Sequence, residues 1–93
     1  MPVTRITEFK AAERKAGDLH DFLLGLVPYI SGSAGCHSVE VLKKGSDTSS
    51  FLVLERWDSA ESHMASVSGF PREDMEAIMP LLAQPPKGDY YTA

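Results

Sequence analysis

Ninety-three residues with 43 % apolar and 24 % charged side chains are enough for one domain (residues 1–93) and too few for a second core. The net charge of −4 speaks against a nucleic-acid partner, which would call for a basic stripe, and no apolar run approaches the ~20 residues of a membrane span. The opening MPVTRITEFK lacks the apolar centre of a signal peptide, and a single cysteine, Cys36, makes no internal disulfide; both fit a cytoplasmic protein.

Residues 3–10 (VTRITEFK) mix β-branched and polar positions and read as a first strand. A helix follows, because Leu19, Phe22, Leu23, Leu26, Val27 and Ile30 recur at steps of three and four and form one apolar stripe. Asp18 and Asp21 sit early in it, where the helix dipole favours negative charge. Pro28 lacks a donor and is expected to kink or end the last turns, and SGSAG (31–35) is the stop. Cys36 to Lys44 reads as the second strand, GSDTSS (45–50) as a polar turn, and Phe51 to Trp57 as the third strand. So short a link makes a hairpin the cheapest connection.

Asp58 or Ser59 can cap the next helix, with Glu61 three residues after Asp58 as in a capping box. That helix is expected to end near Gly69. Phe70-Pro71 opens another, with Met75, Ile78, Met79 and Leu82 along one face and Pro80 late in it. Pro85 to Gly88 breaks the pattern, and Asp89 to Thr92 forms a last strand. The order is that of an α+β, ferredoxin-like split βαβ fold, a four-stranded antiparallel sheet with its helices on one face. Phe51 to Leu54 alternate across both faces and all are apolar, so the other face also needs a cover. No segment remains for it, and a second copy of the chain would supply it, giving a homodimeric α/β barrel.

Chemistry concentrates in FLVLERWDSAESHMAS (51–66). Glu55 and Trp57 share a strand face with Phe51 and Val53. A carboxylate there is costly if buried alone, so it is paired (Arg5, Arg56 and Lys43 are candidates), exposed at the strand end, or lining a cavity. The Trp57 indole is either core or a flat wall for an aromatic ligand. His63, at the second turn of the polar helix that follows, is a candidate proton acceptor, with His37 on the second strand as its rival. His20 is expected to be solvated. No metal-ligand spacing, phosphate loop, nucleophile elbow or dinucleotide fingerprint is present.

The segment GCHSVEVLKKGSDTSSFLVLERWDSAESHMAS (35–66) resembles the antibiotic biosynthesis monooxygenase superfamily, most sharply in Glu55-x-Trp57-x-Ser59 followed by His63. The tail, MEAIMPLLAQPPKGDYYTA, is similar to the ending of many small members. The resemblance implies a dimeric ferredoxin-like barrel. It also implies oxidation of a small quinol, anthrone or polyketide-like phenol by O₂ with no cofactor. Catalytic roles then fall to His63 or His37, with Trp57 stacked on the substrate ring. Leu23, Leu26, Glu55, Phe70, Met75, Met79 and Tyr90 would bind the small aromatic or apolar molecule.

Three positions depart from the family pattern. Ser66 stands where many members have the histidine, Thr4, Arg5 and Thr7 stand where some have a substrate-positioning Asn, and residues 70–84 lack the axial histidine of haem-degrading relatives. A reading of another class is a non-catalytic dimeric protein that binds a small ligand in the same pocket or uses only its dimer surface.

Overall fold

The computed structural model describes residues 1–93. Its elements are β1 (Val3–Lys10), α1 (Ala16–Ser31), β2 (Cys36–Lys44), β3 (Asp47–Trp57), α2 (Ala60–Gly69), α3 (Arg72–Glu76), a 3₁₀ turn (Met79–Leu81) and β4 (Lys87–Tyr91). The strands form one antiparallel sheet in the order β2-β3-β1-β4. This is the expected ferredoxin-like topology, with β1 between β3 and β4.

Register decides which side chains face the helices. Phe9 lies opposite Phe51, Thr7 opposite Val53, and Arg5 opposite Glu55 on one side and Tyr90 on the other. These residues share the face on which Leu19 and Leu23 of α1 pack. Leu19, Leu23, Phe51, Val53, Ala11 and Ile78 form the core cluster, and Leu19 and Leu23 are sealed from solvent. Leu23, expected to line the substrate pocket, therefore belongs to the core beneath it. His20 is not solvated as expected: its ring is half-buried and stacks on Phe51 at 5.5 Å with a 9° interplanar angle.

Three boundaries differ from the sequence expectation, the slightest being β4, which spans Lys87–Tyr91 and not Asp89 to Thr92 because Lys87 and Gly88 already pair with Glu8 and Thr7. GSDTSS is not a six-residue turn, because the chain reverses over Gly45-Ser46 and β3 begins at Asp47, paired with Lys44. Asp47 makes that extension hold. Its carboxylate takes the Lys10 ammonium at 2.5 Å and accepts hydrogen bonds from Ser49 N and Oγ and from Ser50 Oγ. The third difference lies after α2. The periodicity of Met75, Ile78, Met79 and Leu82 predicts one helix, but the chain forms only the five residues of α3 and a 3₁₀ turn carrying Pro80. Proline removes a helical donor, and the segment instead bonds the end of β1, Ala12 N to Leu81 O at 2.8 Å and Ala83 N to Lys10 O at 2.9 Å. Pro28 does not end α1, which runs three residues further to Ser31. No helix is long and apolar enough to cross a membrane.

The loop before β2 fixes where α2 starts. Gly35 has φ +86°, and a Cβ there would stand 2.5 Å from Asp58 Oδ1 and 2.6 Å from Ser62 Oγ. Its carbonyl accepts from Asp58 N at 2.8 Å. Ser59 is the N-cap of α2, its Oγ accepting from Ser62 N at 3.2 Å. Gly35→Ala is expected to lower unfolding stability by about 1–2 kcal/mol in urea titration, since a side chain at positive φ is strained even before the overlap is relieved.

Candidate functional site

Between the helices and the sheet lies a cavity of about 310 Å³. One wall is apolar: Phe22, Leu26 and Ile30 from α1, Val67 from α2, then Phe70, Met75 and Ile78. The other wall is the sheet end, with Arg5 and Thr7 of β1, Glu55 of β3 and, from α2, His63. The amphipathic stripe of α1 thus divides its work. Leu19 and Leu23 fill the core, while Phe22, Leu26 and Ile30, a third of a turn away, roof the cavity. Tyr29 pins the rim, donating to Ser66 O at 2.7 Å and meeting Phe70 edge-on at 4.9 Å.

His63 is buried at this wall, 9 % exposed. Its Nδ1 is 2.6 Å from the Tyr90 hydroxyl, and the His63 ring stands edge-on to both Trp57 (5.6 Å) and Tyr90 (5.4 Å). With Nδ1 occupied by Tyr90, the other ring nitrogen is the one left to meet a ligand. Burial, and after it the Arg5 guanidinium, hold the imidazole below its ordinary 6.5. The neutral ring is therefore favoured near neutral pH, the form that accepts a proton.

Glu55, 6 % exposed, forms no ion pair with any of the cations the sequence offered it. Its Oε1 accepts from the indole N–H of Trp57 at 3.0 Å. Burial pushes its carboxyl up, against the opposing pull of that hydrogen bond and of Arg5. Glu55 thus both lines the cavity and tethers the indole.

The structure brings His63, Glu55, Leu26, Phe70 and Met75 to one cavity and places Tyr90 against His63. Other expected residues lie elsewhere. Trp57 is 1 % exposed and does not reach the cavity, so it backs Glu55 and His63 instead of offering a flat wall to a ligand ring. His37 is exposed, in an irregularity of β2 between Cys36 and Ser38 that turns it away from the lining. Met79 is 60 % exposed on the 3₁₀ turn. Arg5 and Thr7 of the lining stand on the strand where some family members have a substrate-positioning Asn, and the structure places both at the cavity while Thr4 is not among its lining.

Residues 2–77 match the model of the family described as antibiotic biosynthesis monooxygenase. Among solved structures, Rv0793 from Mycobacterium tuberculosis superposes with a TM-score of 0.87 at 18 % identity, covering 100 % of this chain and 95 % of its own. PA3566 from Pseudomonas aeruginosa gives 0.85 at 22 %, with 99 % and 93 % covered. A mutant of SnoaB, a cofactor-independent oxygenase from Streptomyces nogalater, gives 0.84 at 13 %, with 99 % and 92 % covered. At these identities the likeness is one of fold. No curated protein matches the chain.

The two buried titrating groups oppose each other. His63, with its folded value below 6.5, makes stability rise as pH climbs toward 6.5, because the unfolded chain holds the proton that the folded chain has released. Glu55, with its folded value above 4.5, makes stability fall as pH climbs above 4.5. Glu55→Gln removes the falling contribution, so between pH 4.5 and 6.5 its melting temperature should climb more steeply than that of the wild type. Parallel curves would show that Glu55 ionises without hindrance.

Proposed function

The chain belongs to the antibiotic biosynthesis monooxygenase family, and from that premise we propose that it is a cofactor-independent monooxygenase acting on a small phenolic, quinol- or anthrone-like aromatic. The observation that carries the reading is the buried His63, fixed through Nδ1 by Tyr90 at the polar wall of an otherwise apolar cavity. A base must be oriented, neutral and shielded from water to deprotonate a weak carbon or phenol acid. In the active tautomer Nδ1–H donates to the Tyr90 oxygen, and the lone pair of Nε2 faces the substrate.

The reaction follows from that proton transfer. His63 Nε2 takes a proton from the ring methylene of an anthrone, or its enol hydroxyl, and the electron-rich anion remains beside the imidazolium. One electron passes to O₂, and the organic radical and superoxide combine into a C–O bond. The resulting peroxide anion recovers the proton from His63. Loss of water then leaves a carbonyl in place of the methylene, with one oxygen atom in the product and one in water. The apolar roof keeps bulk water from reprotonating the anion, and the lowered basicity of His63 eases return of its proton.

His63→Ala should reduce O₂ uptake with a quinol or anthrone about 10²–10⁴-fold. Tyr90→Phe should reduce it less and move the acid limb of the rate profile. An unchanged rate in His63→Ala removes the imidazole from the reaction, and ligand binding with no O₂ uptake in the wild type leaves a binding protein.

The open sheet face bears on the same reading. It carries Ile6 opposite Leu54 and Leu42 opposite Leu52, with Leu42 41 % and Tyr91 54 % exposed. A second copy is the cover we propose for it. Sedimentation equilibrium at micromolar concentration should give twice the chain mass for the wild type and the chain mass for Leu54→Glu. A wild-type monomer ends the dimer proposal.

A further inference from the structure

Arg5 is placed unlike any other cation in the chain. Its register partner across β1–β3 is Glu55, close enough for a pair, yet the two form no salt bridge. The guanidinium turns the other way, over β4, with Cζ 4.9 Å from the centre of the Tyr90 ring. Gly88 permits this. A Cβ at position 88 would lie 2.6 Å from Arg5 Cζ and would overlap Nη2, so the guanidinium occupies the volume that a side chain at 88 would fill. Arg5 Nε is the one buried side-chain nitrogen or oxygen in the chain with no hydrogen-bond partner. Leaving such a donor unmet is unfavourable, the more so in a charged group. Arg5 is also the sole cationic side chain of the cavity lining.

We infer that Arg5 is an anchor for a carboxylate, and that the cavity takes an aromatic acid: a flat apolar body under Phe22, Leu26, Phe70 and Met75, with its carboxylate on the guanidinium. A planar fork of N–H donors matches the two oxygens of a carboxylate. Glu55 is not that partner in this structure: the two form no salt bridge, Glu55 Oε1 accepts from Trp57, and the guanidinium lies over Tyr90 of the opposite strand. The inference rests on reading the cavity as the substrate pocket. It narrows the substrate from a neutral phenol to one bearing an acid group.

Binding tests this without turnover, so it can fail separately from the oxygenase reading. Isothermal titration with 2-naphthoate and with its neutral counterpart 2-naphthamide should show the acid bound at least about tenfold more tightly, about 1.4 kcal/mol. Arg5→Met should erase the preference while keeping the amide affinity. Arg5 holds no salt bridge for the substitution to break, and a melting curve checks that the variant folds. Gly88→Ala, which leaves the charge but displaces it, should also weaken naphthoate selectively. Equal affinity for acid and amide, a preference that survives Arg5→Met, or no binding of either at millimolar concentration would each overturn the inference. Naphthoate preference in a protein that consumes no O₂ with any quinol or anthrone would leave the anchor standing and remove the oxygenase.

Discussion

The site depends on one constraint, the antiparallel register that seats β1 between β3 and β4. It lays Glu55, Arg5 and Tyr90 in a row across the sheet. Three polar groups side by side at the sheet end of a small core would be expensive if left to themselves. Each finds a different settlement. Glu55 holds the Trp57 indole, Tyr90 holds His63, and Arg5 lies over Tyr90 with one donor unmet. A slip of β1 by one residue would turn Arg5 to the opposite face and put Thr4 or Ile6 in its place between Glu55 and Tyr90.

From that row the chemistry is built by addition. Helix α2 adds the imidazole of His63, with Ser66 and Val67 beside it in the lining, and its start is fixed by the Ser59 cap and the close fit of Gly35 against Asp58 and Ser62. Helix α1 contributes apolar area and the Tyr29 hydroxyl that ties the rim to α2. The energetic balance is that of a thin-margined domain: a few fully buried side chains hold the fold, and the cavity occupies space that a tighter core would fill. Stability is given up where the cavity lies.

Much of this was legible in the sequence. The order of elements, the inner face of β3 and the stripe of α1 follow from periods of two and of three to four, which local chain geometry imposes. His63 could be singled out because a histidine soon after a strand that ends in Glu-x-Trp is chemically conspicuous. What periodicity could not supply was contact across strands. Trp57 looked like a ligand wall until its indole proved to be held behind Glu55. His37 shared a nominal face with Val39 until the irregularity at Cys36–Ser38 broke the alternation. Arg5 gained meaning only when Gly88, eighty-three residues away, proved to leave room for it. The failed helix after Pro71 has a local cause, a proline in mid-pattern, and a tertiary one, the hydrogen bonds offered by the end of β1.

Pro28 divides the ceiling of the cavity. Phe22 and Leu26 come before it, Tyr29 and Ile30 after it, and all four border the same hollow. The missing amide hydrogen leaves the Leu24 carbonyl without its usual helical bond, so the two portions are joined less firmly than two turns of an ordinary helix. The later portion is instead fastened to α2 through the Tyr29 phenol and the Ser33–Ser66 hydroxyl pair. If the cavity takes the aromatic proposed above, molecules of different thickness would be met by a tilt of this later portion together with the helix that bears the imidazole, with Leu19 and Leu23 left in place.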